Sequence, residues 1–185
     1  MPTVTTDQKD RSITIQATPT LHWDANNQIT GVTFSYSETS SDPNMPNVVN
    51  ETNGNIDLTH LPNNANYTDN VDVIINLTCS ATGPNGNSLV VEFAPTSPSP
   101  GPIWFCNVPP PGGPKDPTPI ATPPSMAIGA NSLSQVYIDD NQADGGASYC
   151  FCMAVVVPSV GTTPFTIDPI ITGKGNSNSS FMLSS

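Results

Sequence analysis

The residues with the clearest chemical potential carry sulfur: residues 147–157 read ASYCFCMAVVV and set Cys150 and Cys152 one residue apart in an apolar run. Residues i and i+2 of a strand share a face, about 6.6 Å apart. That is the limit of disulfide reach, and the two Cβ vectors run parallel rather than converging. The pair should therefore not bond to itself. Either residue could bond to Cys79 or Cys106 if those strands are neighbours, and a zinc site drawing on all four cysteines is formally open. Such zinc sites usually take two close pairs from turns, and only one close pair exists here. Blue copper needs histidines around the cysteine's own loop, whereas His22 and His60 both lie far upstream. The reading adopted is packing, with Cys150 and Cys152 acting as small hydrophobes.

The other candidates are weaker. His22, in LHWD, and His60, in THLP, have no nucleophile motif beside them, so each reads as structural rather than as the base of a triad. Residues 139–146, DDNQADGG, echo the start of a calcium loop at Asp140, Gln142, Asp144 and Gly145, which makes Asp139, Asp140 and Asp144 the candidate cation ligands. Phe151 stands where the closing acid belongs, and an Asx-rich hairpin turn is the preferred reading. Trp23 and Trp104 could stack on sugar rings, but a buried core or docking role is favoured for both. No glycine-rich loop leads into a helix that would hold phosphate. Carboxylates that pair only in space would leave no trace in the sequence. No catalytic, cofactor or metal residue is assigned, and no cofactor is expected.

These residues must be positioned by strands. In residues 71–79, VDVIINLTC, Val71, Val73, Ile75, Leu77 and Cys79 fall on one face and Asp72, Asn76 and Thr78 on the other, the period of a half-buried strand. The turn GPNGN at 83–87 and the run LVVEF at 89–93 make a hairpin with it. Residues 12–16 form a short strand, and residues 32–36 another with Val32, Phe34 and Tyr36 inward, preceded by a turn at 24–28. A polar loop follows at 41–54. Further short strands are expected at 56–58, at 136–138 and at 165–171, where Pro169 implies an edge or a bulge.

Residues 95–124 hold twelve of the 21 prolines around the island IWFCNV at 103–108. Each proline fixes φ and removes a donor, so this segment is expected to be neither helix nor central sheet, but an ordered excursion, 95–130, whose aromatic island docks. About nine short strands with turns at regular spacing and no helical period give an all-β chain, an immunoglobulin-like or cupredoxin-like antiparallel β-sandwich with a Pro-rich excursion. Its single domain is expected over 12–172, between flexible tails at 1–11 and 173–185. Tyr149, Phe151, Met153, Val155 and Val157 form one apolar face, and Cys150, Cys152, Ala154 and Val156 another. A strand apolar on both faces is covered on both, so either the excursion or a second subunit should cover the outer one.

The carboxy-terminal third, with VYIDDN at 136–141, YCF at 149–151 and TIDPII at 166–171, resembles the DP-EP family of compact bacterial all-β proteins. The sequence has no Glu-Pro pair. The resemblance implies a sandwich fold and no activity.

Charged residues are only 10% of the chain, with 4 basic and 15 acidic residues and a net charge of -11. That sign repels phosphate backbones, so nucleic acid is not an expected partner. No signal peptide or membrane span is legible. The cytoplasm is the default location, with export lacking a signal left open. The four Asn-X-Ser/Thr sites, at Asn50, Asn66, Asn76 and Asn178, carry no weight in so Ser/Thr- and Asn-rich a chain. A surface poor in Lys and Glu loses little side-chain entropy on contact. The first expectation is therefore a non-enzymatic sandwich acting in assembly or binding, as a homo-oligomer. The alternative is a lectin-like carbohydrate-binding module, calcium-assisted, with a glycan partner.

Overall fold

The structure is a computed structural model that describes residues 8–97, 100–107, 116–141, 147–167 and 169–172. Among these residues it is all-β, with no helix. In chain order the strands are β1 (Lys9–Trp23), β2 (Ile29–Asp42), β3 (Ile56–Asp57), β4 (Tyr67–Leu77), β5 (Ser80–Thr82), β6 (Ser88–Val90), β7 (Glu92–Phe93), β8 (Ile103–Asn107), β9 (Asp116–Pro119), β10 (Met126–Ser132), β11 (Gln135–Asp140), β12 (Ser148–Val157), β13 (Gly161–Ile167) and β14 (Ile170–Thr172). One sheet runs β10-β11-β4-β1-β2; a second runs β3-β14-β12-β8-β9, with β13 and β7 also on β12; and β5 and β6 form a small two-stranded sheet of their own. The sheets pack face to face: Ile13, Val73 and Ile138 of the first share a core cluster with Phe93, Phe105, Phe151 and Met153 of the second.

The first sheet follows from period-two patterning. On β1, Ile13, Ile15, Ala17 and Leu21 are buried, and on β4 Val71, Val73, Ile75 and Leu77 are buried, while Asp72 is exposed. The expected turn closes β1 onto β2: Asp24 Oδ1 accepts from the N–H of Asn26 and of Gln28, both at 2.8 Å. These bonds, that from Gln28 first, pull the Asp24 carboxyl below its usual range.

Several expectations are corrected. The sheets are not purely antiparallel, since β1 lies parallel to β4 and β14 parallel to β3. The first strand starts at Lys9, inside the expected tail 1–11. Lys9 Nζ meets Asp42 Oδ2 at 2.7 Å, and Tyr67 donates to the same carboxylate; that pairing raises the Lys9 pKa to about 12. Arg11 is fully buried, with Nε and Nη2 donating to Thr68 O and Pro62 O and Asp69 3.5 Å away. A buried charge sits near the start of β1 because it ties the 62–69 segment to that strand, which alternation alone does not reveal.

The run at 89–93 does not pair with β4. The hairpin is the small β5–β6 unit; β4 lies between β1 and β11, and Cys79, expected on the buried face, is exposed. The island at 103–107 is interior sheet after all, as β8 lies between β12 and β9. No proline falls inside it, so its backbone donors are intact, whereas Pro117 and Pro119 sit on the edge strand β9, where a missing donor costs nothing. The expected strand at 165–171 is divided into β13 and β14. Both keep one register on β12, Met153 facing Ile167 and Cys150 facing Ile170, with Phe151 N–H donating to Pro169 O between them. The residues at 1–7, 98–99, 108–115, 142–146, 168 and 173–185, which include Val108 of the island and most of both tails, lie outside the described set.

Strand β12 is the spine of the second sheet. β14 and β13 line one edge and β8 and β7 the other. Its inner side chains join the main core, and its outer ones, Cys150, Cys152, Ala154 and Val156, form a second buried cluster with Ala94, Trp104 and Cys106. The outer face of β12 is thus covered within one chain, and no second subunit is required to cover it.

Candidate functional site

The outer face of the first sheet is a continuous polar surface built by the same alternation that makes the core. Because Ile13, Ile15 and Ala17 point inward, Ser12, Thr14, Gln16 and Thr18 point outward, and β4 and β11 do likewise with Ile74, Asn76, Gln135 and Tyr137. The register aligns Tyr137, Ile74 and Thr14 in one row across β11, β4 and β1, and Gln135, Asn76 and Gln16 in the next.

These side chains hold one another. Asn131 Nδ2 donates to Gln135 Oε1 at 2.7 Å, and Gln135 Nε2 donates to Asn76 Oδ1 at 2.8 Å. Gln16 Nε2 donates to Thr78 Oγ1 at 2.9 Å, and Thr78 shares a 3.1 Å hydroxyl contact with Thr18. His22 Nε2 meets Thr33 Oγ1 at 2.9 Å between β1 and β2. The amides and hydroxyls span four strands with no Lys or Arg among them. Beside them the half-buried Tyr137 ring lies over Gly129, where a Cβ would come within 2.7 Å of the phenol oxygen. Glycine lets the ring lie down in that position, and any larger residue would push it aside.

One end of this face is acidic. Asp139 lies directly opposite Asp72 across β11 and β4. Partial burial, then the charges of Asp139 and Asp10, raise the Asp72 pKa.

The residues singled out in the sequence scatter. Asp139 and Asp140 are consecutive on β11 and therefore point to opposite faces, Asp139 exposed and Asp140 fully buried, so they do not face one ion together. Gln142, Asp144 and Gly145 lie outside the described residues. Among the described residues no three His, Cys, Asp or Glu side chains form a group able to hold a metal. Trp104 is buried in the outer cluster of the second sheet and offers no free ring face, and Trp23 is half-buried against the main core.

His60 shares a groove of about 480 Å³ with Asp57. The Thr59 side chain and backbone, and then the charge of His60, hold the Asp57 carboxyl below its usual range, which makes it a weak base. No Ser or Cys lines that groove, so no nucleophile–histidine pair assembles in it. Cys106, Cys150 and Cys152 come together on the second sheet, while Cys79 stands apart, exposed at the end of β4 with its thiol on Leu77 O.

Neither the polar platform nor the place of Tyr137 beside it is evident from the sequence alone. The signal was present as the complement of the core pattern, since each outward residue alternates with a buried one, but the cross-strand rows depend on strand order. No family model matches the chain, and no curated protein matches it significantly.

Proposed function

We propose that this chain is a non-enzymatic binding protein that presents the outer face of its first sheet to an extended, uncharged polar polymer, of which a neutral glycan is the best-fitting class. The observation that carries this reading is the hydrogen-bonded set Asn131–Gln135–Asn76 and Gln16–Thr78–Thr18 beside the Tyr137 ring. Side chains already held by their neighbours lose little freedom on binding. Amides and hydroxyls match the alternating donors and acceptors of sugar hydroxyls, and a tyrosine face supplies an apolar platform for a ring. The acidic end, with Asp72, Asp139 and Asp10, disfavours uronic or sulfated chains. No calcium enters this reading, which needs no ion to bridge the sugar.

The finer fold belongs to the same proposal. The parallel β1–β4 pair departs from the antiparallel sheets of an immunoglobulin domain, which favours the cupredoxin-like alternative. The DP-EP resemblance agrees with a sandwich and brings no activity.

The test is calorimetric titration of soluble neutral β-glucan, mannan and chito-oligosaccharides, with an acidic polysaccharide as control. Binding to a neutral chain is expected, with Tyr137→Ala weakening it about tenfold, equivalent to about 1.4 kcal/mol, while the melting temperature stays within a few degrees. Silence across the neutral panel, or a Tyr137→Ala variant that binds as well as the parent, removes the reading.

A second reading, self-association, is favoured by β2, which ends the first sheet and runs 14 residues with no Pro, Lys or Arg. Among the described residues its outer edge is met by a backbone bond at Tyr36, whose N–H donates to Glu51 O at 2.8 Å. The stretches of edge on either side of that bond can pair with a second copy.

A further inference from the structure

Three of the four cysteines meet in the buried outer cluster of the second sheet, and nothing in the binding reading uses them. Cys106 on β8 lies directly opposite Cys150 on β12, and Cys152 lies opposite Trp104, so all three thiols share one face. The sulfurs of Cys152 and Cys106 are 2.8 Å apart, in side chains 0% and 1% exposed.

That distance separates two chemistries. Two thiolates on one tetrahedral zinc, each about 2.3 Å from the metal, sit about 3.8 Å from each other, farther apart than this pair, and among the described residues no three His, Cys, Asp or Glu side chains form a group able to hold a metal. A disulfide needs about 2.05 Å, less than an ångström nearer, which small χ1 rotations on two neighbouring strands supply. Residues 150 and 152 cannot reach each other along one strand, but a residue on the adjacent strand can reach one of them.

We propose that Cys106 and Cys152 form a dithiol–disulfide site, oxidised by a low-molecular-weight disulfide. The Cys152 thiolate attacks one sulfur of the reagent, forming a mixed disulfide and expelling one small thiolate. The Cys106 thiolate then attacks the Cys152 sulfur, forming the Cys106–Cys152 bond and expelling the second. Two protein thiols and one small disulfide become one protein disulfide and two small thiols; the protein sulfurs lose two electrons and the reagent gains them. Because the sulfurs are buried, the exchange takes place before β8 docks on β12 during folding, or when β8 lifts away. The bond then pins the Pro-rich segment to the spine of the second sheet, across 46 residues of sequence. A cross-link of that span restricts the unfolded chain and stabilises the fold in an oxidising compartment.

The experiment refolds the full chain in oxidised glutathione, blocks remaining thiols, and maps linked peptides by mass spectrometry beside a fully reduced sample. The expected result is a linked peptide pair containing Cys106 and Cys152, with Cys79 and Cys150 alkylated and a melting temperature about 10 °C above the reduced form. Cys152→Ser should abolish both the link and the shift; Cys150→Ser should keep both. If Cys152→Ser fails to fold, the wild-type peptide map alone decides. A map showing all four thiols alkylated, a Cys106–Cys150 link, or links between chains through Cys79 overturns the proposal.

Discussion

Asp72 shows how a single side chain reports on the candidate face. It stands opposite Asp139 across two strands, and burial, with Asp139 and Asp10, raises its pKa. A carboxyl whose folded pKa lies above its unfolded value binds its proton more tightly when folded. Its ionisation therefore opposes folding, and the penalty grows as pH rises from the unfolded pKa through the folded one. Asp72→Asn removes the penalty. Urea unfolding at pH 7 should show the variant more stable by about 0.3 kcal/mol, the low end for a like-charged cross-strand pair because the site is open to solvent screening. Below pH 4 the gain should vanish; a gain that persists in acid would mean that Asp139 and Asp10 are not its cause. At this scale the sequence was legible where burial follows alternation. Cys150 and Cys152 are both buried in an apolar cluster. It was illegible at Arg11, a buried charge held by carbonyls of a distant segment, and at Cys79, where the strand ends before the face can be buried.

The elements were legible in kind and misread in partnership. The period of β4 is plain in VDVIINL, but its neighbours β1 and β11 lie far away in sequence, and a nearby turn suggested the wrong hairpin. Proline density made 95–124 read as an excursion, whereas donors matter residue by residue and β8 contains no proline. The loop between β2 and β3 shows what holds an irregular element in place. Gly54 has φ of +73°, and a Cβ there would come within 2.6 Å of the Tyr36 ring, which is itself buried in the core and cannot swing aside. The N–H of Gly54 donates to Asn50 O at 2.8 Å, while the Asn50 side chain accepts from Thr52 and Asn53. Gly54→Ala forces a left-handed backbone on a residue with a Cβ and presses that Cβ on the ring. It should lower unfolding free energy by about 2 kcal/mol, read from a reduced urea midpoint at unchanged slope. A loss below a few tenths would mean that the loop yields without disturbing Tyr36.

At the scale of the molecule, the balance between self-association and a soluble single chain is set by charge against backbone. The chain carries a net charge of -11, and two copies approaching along β2 repel. The β2 edge offers backbone for pairing on either side of Tyr36, where Glu51 O already takes the N–H, and the strand carries no cation or proline to oppose it. Repulsion acts over the Debye length, about 30 Å at 0.01 M salt and about 8 Å at 0.15 M, while hydrogen bonds between edges act only at contact. Salt therefore weakens the opposing term and leaves the favourable one. Light scattering after size exclusion should give the mass of one 19.4 kDa chain at the lower salt and a rise toward twice that mass at the higher. An association driven by opposite charges would show the reverse trend. A single-chain mass at both salts would mean that β2 does not pair with a second copy, and would leave the hydrogen-bonded outer face of the first sheet as the surface on which binding rests.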